Sequence, residues 1–75
     1  MPLTYTTHAS HRMLGRLVPQ SLVEATVILG HFVTQPQGTR KYKAVFSGGG
    51  INYTVTVITN PAGTEVRTTW YEITF

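Results

Sequence analysis

A histidine and two arginines recur at intervals of four residues near the start of the chain, at His8, Arg12 and Arg16. If this segment is helical, the spacing places the three side chains along one side of the helix. Like charges at that spacing cost about 0.2–0.5 kcal/mol per pair, a cost that a bound anion removes. Imidazole exchanges protons near neutral pH, and guanidinium groups bind phosphate oxygens. The pattern indicates a phosphate-binding site, with a simple basic surface as the alternative.

The end of the chain adds hydroxyl groups to this inventory. Arg67, Thr69 and Tyr71 alternate in a segment rich in threonine and aromatic residues, so strict alternation predicts that they share one face of a strand. Such a trio suits phosphate oxygens, and tyrosine also stacks on bases. Ordinary strand propensity explains the threonine and the tyrosine equally well. Lys41 and Lys43 share another strand face, where they either follow an RNA backbone or protect a sheet edge from aggregation.

Other kinds of chemistry find less support in the sequence. His8 and His11 have a spacing that suits zinc, but no neighbouring carboxylate or thiolate completes a site. The chain has no cysteine, which excludes disulfides and thiolate chemistry. Glycines 48–50 lack the helix and lysine that follow a phosphate-binding loop, and they predict a hairpin turn. We therefore expect neither a metal nor a cofactor.

The charge balance is compatible with a polyanionic partner. The 75 residues carry six Lys and Arg against three acids, for a formal net charge of +3. A scarcity of acids reduces the repulsion of phosphate, although a basic domain that is merely soluble has the same composition. Hydrophobic residues make up 41% of the chain, enough for the thin core of one small domain. No apolar run approaches the length of a membrane span, so no membrane contact is expected.

Helix signals occupy the first half of the chain. Thr6 or Thr7 is a good N-cap for a helix that runs to about Leu17. Pro19 suits the first turn of a second helix, which Gly30 ends. This second helix is broadly apolar, which predicts that it is mostly buried.

The second half of the chain changes its hydrophobic period from 3.6 to 2. Alternation predicts strands over residues 40–46, 51–59 and 64–75, joined by short turns rich in glycine. A further short strand over residues 3–6 would extend the sheet. We therefore expect an α+β domain in which two N-terminal helices pack on an antiparallel meander of three to four strands.

The opening helix also carries a family resemblance. Residues 8–18 begin with His-Ala, continue to Arg-Met and close with a second arginine before a branched apolar residue; residues 68–71 form a Thr-Thr-Trp-Tyr strand. This pattern resembles a family of small bacterial toxin-like domains, similar to the barnase, EndoU, colicin and RelE group of metal-independent ribonucleases. The resemblance covers nearly the whole chain, and its specific part is the first helix.

The resemblance implies a mechanism and partners. His8 would act as general acid or base, Arg12 or Arg16 would stabilise charge on the phosphate, and Thr69 and Tyr71 would position that phosphate or assist proton transfer. A ribose 2′-hydroxyl would attack its own 3′-phosphate and leave a cyclic phosphate, with tRNA as the expected substrate. A second acid or base, if one is needed, would be His11, His31, Tyr71 or a lysine. We expect the side chains that bind the rest of the RNA to be His11, Lys41, Lys43 and Arg67.

The same resemblance implies a setting, and two alternatives remain open beside it. Members act in the cytoplasm of a bacterial target or producing cell and are neutralised by an immunity protein or antitoxin. One alternative is an RNA-binding or toxin-like module without catalysis. The other is an accessory protein whose basic face docks an acidic partner.

Overall fold

A computed structural model describes residues 3–74 of the chain. In chain order the elements are β1 (Thr4–Tyr5), α1 (Thr7–Arg16), α2 (Gln20–Leu29), β2 (Phe32–Thr34), β3 (Arg40–Gly48), β4 (Ile51–Thr59) and β5 (Glu65–Thr74). The five strands form one sheet in the order β1-β5-β4-β3-β2. Neighbouring strands are antiparallel, except that β1 runs parallel to β5. Within the described residues, no helix is long and apolar enough to cross a membrane.

Local capping interactions set the ends of both helices. The Thr6 hydroxyl accepts a hydrogen bond from the Ala9 amide at 3.0 Å and so caps α1, as the sequence predicts. The helix ends at Leu17, which adopts a left-handed conformation with φ 53°. Pro19 precedes α2, and Gly30 ends it with φ 76°, the backbone conformation that favours glycine.

The sheet is larger than the sequence predicts. The expected meander is present as β3, β4 and β5, but five strands form a mixed sheet instead of three to four antiparallel ones. The parallel pair joins β1 to the first residues of β5. The strand β2 was not predicted, because its segment shows no alternation in the sequence, and its three residues are all exposed in the structure. It is held by pairing with β3, from Phe32 opposite Tyr42 to Thr34 opposite Arg40.

The buried core joins the two helices to one face of the sheet. Apart from Tyr42, its residues are small and mostly branched: Ala9, Val18, Val23, Tyr42, Val55, Val57 and Val66. The prediction that α2 is mostly buried is wrong, since Ile28 is 82% and Leu29 53% exposed. A helix that packs on a single sheet is covered on one side only. The opposite sheet face, which we call the open face, contributes no member to this core.

A β-bulge in β5 changes which side chains share a face. Thr59 pairs with Val66 and Ile58 pairs with Thr68, so Arg67 is an extra residue with no partner in the register. The alternation therefore shifts at this point. Val66 and Thr69 both lie on the buried side of the sheet. Arg67, between Val66 and Thr68 in the register, lies on the open face. The prediction that Arg67 shares a face with Thr69 and Tyr71 is wrong for this reason.

Tyr5 presents a buried hydroxyl with an unusual environment. Its Oη atom has no hydrogen-bond partner within residues 3–74. Burial, and secondarily the Glu24 carboxylate, raise the pKa of this phenol above its ordinary value of 10.0. Because the folded state keeps the proton at a pH where the unfolded state has released it, stability falls as the pH rises through 10 towards the raised pKa.

We expect Tyr5→Phe to raise the free energy of unfolding by about 1 kcal/mol at neutral pH, since it removes a buried hydroxyl that makes no hydrogen bond. The difference in the free energy of unfolding between the variant and the wild type should increase as the pH rises above about 10. At that pH the phenol of Tyr5 ionises in the unfolded wild type, which destabilises its folded state, and the variant has no such group. Urea denaturation at both pH values measures the two effects. A variant that is less stable at neutral pH would mean that the hydroxyl has a partner after all.

Candidate anion-binding site

Three side chains of α1 form the basic row, which consists of His8, Arg12 and Arg16. The Arg12 Nε atom donates a hydrogen bond to His8 Nε2 at 3.3 Å, and both side chains are exposed. Arg16 is half-buried, and its Nη1 atom donates to the Thr69 carbonyl oxygen at 3.3 Å. This last hydrogen bond fixes the row beside the backbone of β5. The helical spacing noticed in the sequence therefore corresponds to one continuous surface.

The basic row forms one wall of a cavity at the edge of the sheet. This edge cavity has a volume of about 890 Å³. Trp70 and Tyr71 both line it, although successive residues of a strand point to opposite faces of a sheet. The cavity must therefore wrap around the edge of β5, where β1 pairs only with Glu65 and Val66. Its lining consists of His8, Arg12, Arg16, Thr68, Trp70, Tyr71 and Ile73.

The edge cavity has the electrostatic character of an anion site. Two guanidinium groups and one imidazole line it, and the described part of its lining contains no carboxylate. The strand β5 carries two acids outside this lining: Glu72, between Tyr71 and Ile73, and Glu65, which lies 3.7 Å from Arg67 Nε in a half-exposed ion pair. Unbalanced cations around a concavity focus a positive potential into it, which raises the local concentration of anions.

The hydrogen bond within the row also defines what His8 can do. Its Nε2 atom accepts from the Arg12 guanidinium, so this nitrogen carries a lone pair in the observed arrangement. A neutral imidazole nitrogen beside a guanidinium can remove a proton from a group that the guanidinium also binds. Tyr71, which carries a phenolic hydroxyl, and Thr68, which carries an aliphatic one, line the same cavity. These groups can bind a phosphate and exchange protons with it.

Thr69 does not join these residues as the sequence predicted. Its side chain is fully buried, and its hydroxyl donates a 2.7 Å hydrogen bond to the Thr56 carbonyl oxygen. Only the backbone carbonyl of Thr69 faces the basic row, where it accepts from Arg16. A hydroxyl sealed in this way cannot touch a substrate, so Thr69 acts as a support for Arg16. Tyr71 is the predicted hydroxyl that does line the cavity.

The residues predicted to bind RNA outside the catalytic group are spread over the molecule. His11 is exposed on α1 but does not line the edge cavity. Arg67 is on the open face in its ion pair with Glu65. Lys41 and Lys43 line a second cavity, of about 720 Å³, at the opposite edge of the sheet beside β2.

Sequence reasoning missed three residues of the edge cavity, namely Thr68, Trp70 and Ile73. The prediction treated one face of β5 as the site, whereas the cavity includes both faces because it wraps around the edge. The signal that was available is Trp70, the single tryptophan of the chain, which directly precedes Tyr71.

The described residues contain no group of three or more His, Asp or Glu side chains placed to hold a metal ion. Comparisons of this chain with protein-family models, with curated proteins and with solved structures found no match.

Proposed function

We propose that this chain is a metal-independent endoribonuclease of the toxin-like type that its opening helix resembles. The observation that supports the proposal is the edge cavity, which one histidine, two arginines and a tyrosine line together, with His8 Nε2 accepting a hydrogen bond from Arg12. Cleavage of RNA through its own 2′-hydroxyl requires a base, a proton donor and cations around the phosphate, and this inventory supplies each of them.

The proposed reaction balances with groups that line the cavity. Arg12 releases His8 Nε2 and turns its guanidinium to the phosphate, and His8 Nε2 then takes the proton of the ribose 2′-hydroxyl, whose oxygen attacks the adjacent phosphorus. Arg12 and Arg16 stabilise the negative charge that grows on the two free phosphate oxygens. The bond from phosphorus to the 5′-oxygen breaks, and that oxygen takes a proton from the Tyr71 hydroxyl. The products are a 2′,3′-cyclic phosphate and a 5′-hydroxyl end, and a proton passes from His8 back to Tyr71 through water.

The test is incubation of the purified chain with total tRNA in the presence of EDTA, followed by analysis of the fragment ends. We expect fragments with cyclic-phosphate and 5′-hydroxyl ends, since none of the proposed steps uses a metal. Fragments that appear only when Mg²⁺ is restored, or that carry 5′-phosphate ends, would contradict the mechanism. If the tRNA stays intact at protein concentrations at which it is bound, the result would contradict catalysis and support the alternative of an RNA-binding module.

A second candidate function is the docking of an acidic protein, such as an immunity protein or antitoxin. An apolar hollow adjoins the edge cavity and shares Tyr71 with it. Leu17, which is 78% exposed, and Leu22 line this hollow. A basic cavity beside exposed leucine is the combination that a partner with acidic and apolar side chains would cover. Failure of a short RNA to bind at physiological salt would favour this candidate over the ribonuclease.

A further inference from the structure

We propose that the open face of the sheet binds the single-stranded RNA that continues from the edge cavity, with one base stacked on Trp70 and the next phosphates on Lys43 and Lys41. The inference depends on the proposed function for the identity of the polymer. It adds the strandedness of the substrate and the path that the substrate takes across the molecule.

Strand register places Trp70 and the lysines in adjoining rows of the open face. Trp70 lies opposite Thr56, and Thr56 lies opposite Lys43 on its other side. The next row contains Thr68, Ile58 and Lys41 in the same order. Trp70 and Thr68 also line the edge cavity, so both rows begin at the cavity that the basic row lines.

The lysines at the other end of the rows continue into the second cavity, which Lys41 and Lys43 line with Val33 and Phe32. Two steps between neighbouring strands separate Trp70 from Lys43, a span of about 10 Å. Folds built on a β-sheet bind single strands over about 4–16 nucleotides, a stretch of RNA longer than this span. One extended strand of RNA can therefore contact the edge cavity, Trp70 and both lysines.

Thr56 gives the centre of this track an independent feature. It is 1% exposed, and its Oγ1 atom has no hydrogen-bond partner among residues 3–74. The core is on the other face of β4, where Val55 and Val57 point, so the neighbours that cover Thr56 belong to the open face. Its two cross-strand neighbours are Lys43 and Trp70. The Thr56 hydroxyl is therefore a hydrogen-bond donor without a partner, between Trp70 and Lys43. A base or ribose can accept this hydrogen bond when the side chains of Trp70 and Lys43 change rotamer to contact the RNA.

The charges on the open face determine the direction that the RNA takes from the edge cavity. The row on the other side of Trp70 contains Val45, Thr54 and Glu72, and this carboxylate repels phosphate. The rows that contain Lys43 and Lys41 carry no acid. A strand that leaves the edge cavity therefore passes over Trp70 towards the lysines and away from Glu72. A duplex does not fit this arrangement, because its bases are already stacked on each other and cannot stack on the indole.

The experiment uses tryptophan fluorescence, since Trp70 is the only tryptophan in the chain. The probe is a short oligouridylate with 2′-O-methyl groups, which lacks the nucleophile for cleavage. We expect this single strand to quench the emission, and the same strand annealed to its complement to leave it largely unchanged. Trp70→Ala should weaken binding about 5- to 150-fold in fluorescence anisotropy of a labelled probe, as expected for loss of a stacked base. Trp70→Phe should recover part of the affinity.

Lys43→Ala tests the phosphate contact on the same track. It should lower the affinity and reduce the steepness of the log–log salt dependence by about 0.7. Val45→Ala is the matched control, because Val45 is on the same strand and the same face in the row of Glu72, and it should bind like the wild type.

The outcomes separate this inference from the proposed function. Quenching and a Trp70-dependent affinity without any cleavage of tRNA would support the track and contradict catalysis. Cleavage of tRNA by a protein whose emission the probe does not change would overturn the track and keep catalysis. Equal quenching by single strand and duplex, or an affinity that Trp70→Ala leaves intact, would also overturn it.

Discussion

His8→Ala is expected to lower the rate of RNA cleavage about 10²- to 10⁴-fold, which is the usual contribution of a general base. His8 is the only imidazole among the described residues that line the edge cavity, and its Nε2 lone pair is held in place by Arg12 at 3.3 Å. The side chain is exposed, so its removal leaves no hole in the core. Cleavage should be measured under single-turnover conditions, where binding and chemistry are separated.

His31→Ala is the matched control for this variant. It removes an exposed imidazole from the opposite edge of the sheet, outside the lining of the edge cavity, and should keep most of the cleavage rate. Both variants should retain the circular dichroism and the urea midpoint of the wild type. A His8→Ala protein that folds and cleaves at the normal rate would contradict the proposed role of His8.

Arg12→Ala should cost about 10²- to 10³-fold in the cleavage rate, because it removes a cation aimed at the charge that develops on the phosphate. It also removes the hydrogen bond that orients His8. Arg12→Lys keeps the charge but not the planar fork of donors, and should recover only part of the rate. Arg16 is a less direct test, since its hydrogen bond to the Thr69 carbonyl gives it a structural role as well.

Ser10→Ala is a suitable control for Arg12, because Ser10 is an exposed α1 residue that does not line the cavity. Cleavage and binding of an uncleavable RNA should be measured together for all three variants. We expect Arg12→Ala to lose more in cleavage than in binding. Equal losses in both would mean that Arg12 serves ground-state binding and does not stabilise the transition state.

Local signals in the sequence identify most of the secondary structure. The Thr6 cap, the Gly30 stop and the period-2 segments of β3, β4 and β5 each depend on residues close together in the chain. The two short strands are different. The pairing of β1 with the start of β5 joins residues 61 positions apart, and β2 has no alternation of its own. The prediction of a short strand over residues 3–6 is confirmed by β1, but its parallel pairing with β5 could not be predicted. The strand β2 is defined by its partner β3, so no local pattern identifies it.

The same distinction between local and long-range contacts applies to the predictions for the site. The basic row follows from helical spacing, and the structure brings its three members to one cavity with Tyr71. The faces of β5 could not be predicted, because the bulge at Arg67 shifts the alternation on which the assignment depended. Trp70 was missed because alternation assigns it to the face opposite Tyr71, and only the three-dimensional shape of the strand edge lets both residues line one cavity.

The hydrogen bond from Arg16 to the Thr69 carbonyl has a meaning beyond the site. Past Val66, the outer side of β5 has no strand beside it in the described chain, and this segment is rich in the threonine and aromatic residues that favour intermolecular β-pairing. Arg16 occupies one of the backbone acceptors that a strand from another molecule would need, and the other cations of α1 repel the same row in a second copy. The charges that we propose to bind a polyanion would thus also oppose edge-to-edge pairing between molecules.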